Sequence, residues 1–160
     1  MTSHILRTAI AALALTGASV LAQHSNAYAN LGGSADSVAT DRAVLRGQLR
    51  TTATTLYDVH EIDFGSTVVR EYVTRAGTVF AVTWRGPAPP NLQQLFGSDY
   101  FNRFHNATSA AAAARPSSHR QFTLNDPDFV VQSAGHMRSF VGRAYLPALL
   151  PAGLSVSDIQ

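Results

Sequence analysis

The residue pairs with the greatest chemical potential are His60-Glu61, Arg70-Glu71 and the cluster His136-Met137-Arg138 with Arg143 close behind. An imidazole beside a carboxylate is the raw material of a general base or of half a metal site. Paired guanidinium groups clamp carboxylates and phosphates. A small enzyme built on this chain would use His60 or His136 as general base, with Glu61 or Glu71 in support. The spacing works against that. Successive side chains of a strand point to opposite faces, so His60 belongs with Asp58 and Ile62, while Glu61 belongs with Val59 and Asp63. The zinc-protease pattern H-E-x-x-H fails because Phe64 stands where the second histidine is needed. The chain also lacks a G-x-S-x-G elbow, a phosphate-binding glycine loop and any cysteine nucleophile.

Strands must position these groups. Leu56–Ile62, Thr67–Thr74 and Thr78–Trp84 are rich in β-branched and aromatic residues and are separated by turn chemistry. Asp63-Phe64-Gly65-Ser66 makes the first turn and Arg75-Ala76-Gly77 the second. Gly77 suits the left-handed position of a three-residue loop, which pairs Thr74 with Thr78. Continued without interruption, this register sets Tyr72 against Phe80, Arg70 against Val82 and Val68 against Trp84. Arg70 is then expected among Tyr72, Phe80, Val82 and Trp84, where its guanidinium meets aromatic faces.

Three prolines in Gly86–Pro90 end this meander. Asn91–Phe96 reads as a short capped helix, and Ser98 to about Ala114 as a longer one. The longer helix buries Tyr100, Phe101, Phe104, Ala107 and Ala111. A weaker helix is expected over Ser37–Arg50, and Pro116–Asp128 reads as a polar connection. Phe129–Gln132 and Met137–Tyr145 form a second hairpin turning at Ser133-Ala134-Gly135, which puts His136, Arg138 and Phe140 on one strand face. The tail Leu146–Gln160 is expected to pack as an extended arm. The fold class is α+β: an antiparallel sheet of about five strands, a meander plus a C-terminal hairpin, packed with two or three helices.

Residues 1–29 read as a signal peptide. Arg7 precedes an uncharged run of 15 residues, Thr8–Ala22, too short to span a bilayer. Small residues at Ala27 and Ala29 fit cleavage after Ala29, with Ala22 as a second option. Export to the periplasm or beyond is expected, with one globular domain over 30–160 and no membrane span after cleavage. The sequon Asn106-Ala107-Thr108 falls inside a predicted helix and is discounted. All 12 basic residues are arginine, scattered among 10 acids. A nucleic-acid binder would cluster them on one face, so that class is excluded.

Several stretches carry a resemblance: Leu31-Gly32-Gly33, Tyr57–Glu61, Thr67–Val73, Gly77–Pro87 and the long run Gly135–Pro147. On these residues the chain resembles a family of secreted proteobacterial proteins known only as a domain of unknown function. The resemblance implies export and a single domain, and supplies no activity, cofactor or catalytic residue. The expected role is a non-catalytic accessory protein of the cell envelope. It would meet an envelope protein or a small ligand through some of His60, Arg70, Glu71, Trp84, His136, Arg138 and Arg143. No cofactor and no metal are expected.

Overall fold

The structure, a computed structural model, describes residues 31–114 and 121–160. The expected signal peptide, Asn30 and Arg115-Pro116 lie outside the described residues. Helix α1 (Ser37–Leu45) is shorter than the sequence reading, because Arg46 turns left-handed (φ 54°) and Gly47 packs directly against Ile62. The chain then enters β1 (Gln48–Ala53), where Thr51 and Thr52 act as strand formers. β2 (Tyr57–Phe64), β3 (Thr67–Thr74) and β4 (Val79–Gly86) form the expected meander. Next come α2 (Leu92–Phe96), whose N-terminus is capped by the Asn91 side chain, and α3 (Ser98–Ala114). β5 (Gln121–Asn125), β6 (Val130–His136) and β7 (Ser139–Tyr145) complete one antiparallel sheet of seven strands, ordered β1-β2-β3-β4-β7-β6-β5.

The sheet thus has two more strands than expected, and both are its edges. Every residue of β1 is exposed, so no apolar alternation marks it. β5 lies inside the stretch read as a polar connection; Phe122 and Leu124 turn inward there and the residues between them outward.

One irregularity governs the centre of the sheet. The loop Arg75–Gly77 forms as its sequence requires: the Thr74 amide donates to Thr78 O (2.8 Å) and Gly77 sits at φ 80°. Val73 therefore pairs with Val79, but Tyr72 pairs with Ala81. Phe80 is the extra residue of a β-bulge. A one-residue slip exchanges the faces of everything beyond it. Arg70 consequently faces Thr83 rather than Val82, and Trp84 pairs with Val69. Trp84 is 4% exposed, its ring 5.7 Å from Phe96 in the core under the helices. Of the face expected around Arg70, Tyr72 and Phe80 stay on its side of the sheet, while Val82 and Trp84 turn to the other.

The helices cover one face of the sheet. Val69, Val73, Val82, Trp84, Val131 and Ala144 meet Leu95, Phe96, Phe129 and Val38 there. The tail crosses part of the other face, where Ile159 and Leu154 pack on Tyr72, Phe80 and Tyr145. Single turns of 3-10 helix at Pro147–Leu149 and Val156–Asp158 interrupt that arm. Among the described residues no helix is long and apolar enough to cross a membrane.

Gly142 shows how closely the core depends on the register. A Cβ there would overlap the Trp84 ring. Gly142→Ala is expected to cost about 2–3 kcal/mol by overpacking, whereas Val141→Ala, at an exposed neighbour, stays within about 0.5 kcal/mol. Urea midpoints of the two variants measure both; equal midpoints would contradict the packing described.

Candidate functional site

The uncovered part of the tail-side face is a groove of about 550 Å³. Its floor is set by strand pairing. Thr123, Gln132, Arg143, Thr83 and Arg70 are successive cross-strand partners over β5, β6, β7, β4 and β3. Arg70 and Arg143 flank Thr83, about 10 Å apart at two strand spacings. Arg85 lies two residues beyond Thr83 on the same face, opposite Val141 and Val68. Ile159 and Gln160 close the end nearest Arg70. The described residues lining the groove include Arg70, Arg85 and Arg143 and no Asp or Glu.

Two of these arginines are held in place by the rest of the protein. Arg143 donates to Gln132 Oε1 at 2.7 Å and to Val156 O at 2.7 Å. Arg70 donates to Glu61 Oε2 at 2.8 Å and to Gln160 O at 2.9 Å; the Tyr72 hydroxyl also donates to that oxygen, at 2.6 Å. Both therefore anchor the tail and present their remaining N–H groups to the groove. Arg85 is exposed and makes no side-chain bond among the described residues.

Of the other predicted residues, Trp84 also borders the groove, and the rest lie elsewhere. Glu61 faces the tail side, as strand alternation requires, but serves Arg70. His60 faces the helix side; its ring nitrogen Nδ1 meets Thr51 Oγ1 at 3.0 Å, and burial lowers its pKa. Glu71 pairs with His60 across β2 and β3, yet it is 1% exposed and neither of its oxygens has an established partner. Trp84 is in the core. His136 and Arg138 stand at the β6–β7 turn, which is tighter and later than expected: a two-residue loop of Met137 (φ 42°) and Arg138 (φ 68°). Arg138 therefore leaves the strand face it was expected to share with His136 and Phe140. His60 and His136 lie on β2 and β6, at least four strand spacings or about 19 Å apart in the sheet. Neither lines the groove, so no general base converges with an acid there. Among the described residues no three His, Asp or Glu side chains are grouped to hold a metal.

Sequence reasoning missed Thr83, Arg85 and Gln132 because their faces depend on the bulge and on the later turn. It also missed Asp41, which is fully buried in α1. Val38, Asp41 and Leu45 lie on one face by spacing, and that spacing was the available signal. Asp41 accepts from Gln94 Nε2 at 2.6 Å, and its second oxygen adjoins Glu71. Burial, and then the neighbouring Asp41 charge, raise Glu71 well above the usual carboxylate range; burial raises Asp41 to about 6.

A family profile described as Protein of unknown function (DUF2844) matches residues 27–159, and the chain belongs to that family. No curated protein and no solved structure matches it.

The Met137-Arg138 loop is a type I′ turn without the Asn-Gly that this geometry favours. Each non-glycine residue at positive φ costs roughly 1–2 kcal/mol. The double variant Met137→Asn/Arg138→Gly is expected to gain about 1–2 kcal/mol, read as a higher urea midpoint; a midpoint at or below the parent's would exclude a strained turn.

Proposed function

We propose that this member of the family is an exported, non-catalytic binding protein of the bacterial envelope, whose groove takes the anionic group of a small ligand or partner. The observation that carries the reading is the lining of the groove: three arginines and, among the described residues, no Asp or Glu. Guanidinium donors fixed by other bonds lose little freedom on binding a carboxylate or phosphate, and Arg70 and Arg143 are fixed in this way. Thr83, Gln132 and Thr123 supply neutral hydrogen-bonding groups along the same row. The export part rests on the N-terminal pattern in the sequence: a charged start, an apolar run and Ala27-Tyr28-Ala29.

Arg85 is the clean probe, since no other described residue depends on it for a hydrogen bond. Inorganic phosphate and a short glutamate-rich peptide, titrated by amide NMR, are expected to shift Thr83, Arg85, Gln132 and Arg143 saturably. Arg85→Ala should weaken the response at least tenfold, about 1.4 kcal/mol, with an unchanged melting temperature. Arg143→Ala should weaken it too, but with a lower melting temperature because the tail loses its anchor at Val156. Shifts scattered over the surface, or unchanged in Arg85→Ala, would refute the groove. Recovery of a chain beginning at Asn30 from the periplasm tests export; an uncleaved chain confined to the cytosol refutes it.

A further inference from the structure

The groove leaves one buried cluster unused. Glu71 projects from β3 beneath α1 and α2, and Asp41 meets it from α1. Among the described residues, three carboxylate oxygens there, both of Glu71 and Asp41 Oδ2, are buried without a protein N–H donor. Gln94 of α2 donates to the fourth, Asp41 Oδ1. Two ionised carboxylates in this position would repel each other at low dielectric with nothing to offset it. One proton removes the conflict, since a protonated Glu71 donates an O–H to Asp41 while Gln94 satisfies the remaining charge.

What this bond closes is specific. α1 and the segment before it reach the sheet through backbone bonds at its rim, with Gly32 N donating to Val79 O and Ala35 N to Gly77 O, both at 2.8 Å. Leu31 and Val38 plug in beside them. Asp41–Glu71 is the polar contact in the middle of that footprint. We propose that the Asp41–Glu71 pair is a proton-operated latch, which holds residues 31–45 against the sheet when one proton is shared and releases them when it is lost.

The surrounding charges do not supply another trigger of the same sign. On β2 the same face carries His60 and Asp58; Asp58 is paired with Arg75 at 2.8 Å. β4 presents Val79, Val82 and Trp84, and α2 presents only the neutral Gln94. Protonated His60 would favour an ionised Glu71, so its own titration acts against the latch. Linkage sets the sign. A carboxyl whose pKa is raised in the closed state binds a proton that the open state has lost. Closure is therefore strongest below the ordinary carboxylate range and weakens by up to tenfold per pH unit until the raised pKa is passed.

Hydrogen exchange read by mass spectrometry, corrected for intrinsic rates, tests this on the whole chain. Protection of peptides within 31–46 is expected to fall at least tenfold between pH 5.5 and pH 8.5, while peptides from β4 and β7 keep theirs. Glu71→Gln retains a donor without a titrating proton, and should hold the low-pH protection at pH 8.5. Asp41→Asn serves as the second variant and should reduce the pH dependence to the part that burial of Glu71 alone sets, whereas His60→Gln should leave it in place. Carboxyl carbon NMR of the unaltered protein gives a reading free of any folding defect, with Glu71 expected to titrate above the ordinary carboxylate range. Uniform loss of protection across the sheet, no loss at all, unchanged pH dependence in both carboxyl variants, its disappearance in His60→Gln, or a Glu71 that titrates in the ordinary carboxylate range would each overturn the latch.

Discussion

The one-residue bulge at Phe80 is the constraint on which both faces of this protein depend. β4 is the central strand, buried along nearly its whole length between β3 and β7. With an even register, Trp84 and Val82 would face the tail, and Thr83 and Arg85 would be driven into the helix-side core. Burying a guanidinium there without a partner costs several kcal/mol, and leaving Trp84 outside forfeits one of the largest apolar surfaces in the chain. The bulge resolves both at once. Phe80 and Ala81 share the tail side, after which Val82 and Trp84 return to the helices and Thr83 and Arg85 to the open face.

The sequence makes β3 and the Arg75–Gly77 loop legible because local chemistry dictates them. Thr67–Thr74 occupies the predicted span, and Gly77 takes the left-handed position that excludes most other residues. The register of β4 beyond that loop is not set locally. A bulge at Phe80 is chosen by packing on α2, outside the hairpin, and on the tail, which lies far away in sequence. The edge strands were hidden for a different reason: β1 has no buried residue, so its threonines alone carried the signal. The second hairpin turns at Met137-Arg138 rather than at the flexible Ser133-Ala134-Gly135, since Gly135 is needed within β6, where the Phe140 ring lies across it.

The arginines illustrate how a site can be half legible. Arg70 and Arg143 were singled out by residue type and do line the groove, yet each also anchors the tail through a backbone oxygen. That double duty is invisible without the fold, because Gln160 lies 90 residues from Arg70 in the chain. It also has a mechanical consequence: the tail that fixes these side chains closes one end of the groove, so the shape of the groove and the position of the tail are coupled.

Arg70 and Glu71 tie the two faces of the sheet together. Adjacent in the chain, they look like an ion pair or a paired acid and base, and strand alternation sends them to opposite sides. Arg70 finds a carboxylate in Glu61 at the solvent-facing side, where ionisation is inexpensive. Glu71 finds only another carboxylate, in a region where ionisation is costly. The consequence is a division of charge through the thickness of the sheet, with guanidinium groups on the groove face and a buried carboxyl pair beneath the helices. β3 alone connects the two, so a change in the seating of Glu71 is felt first at the strand that positions Arg70.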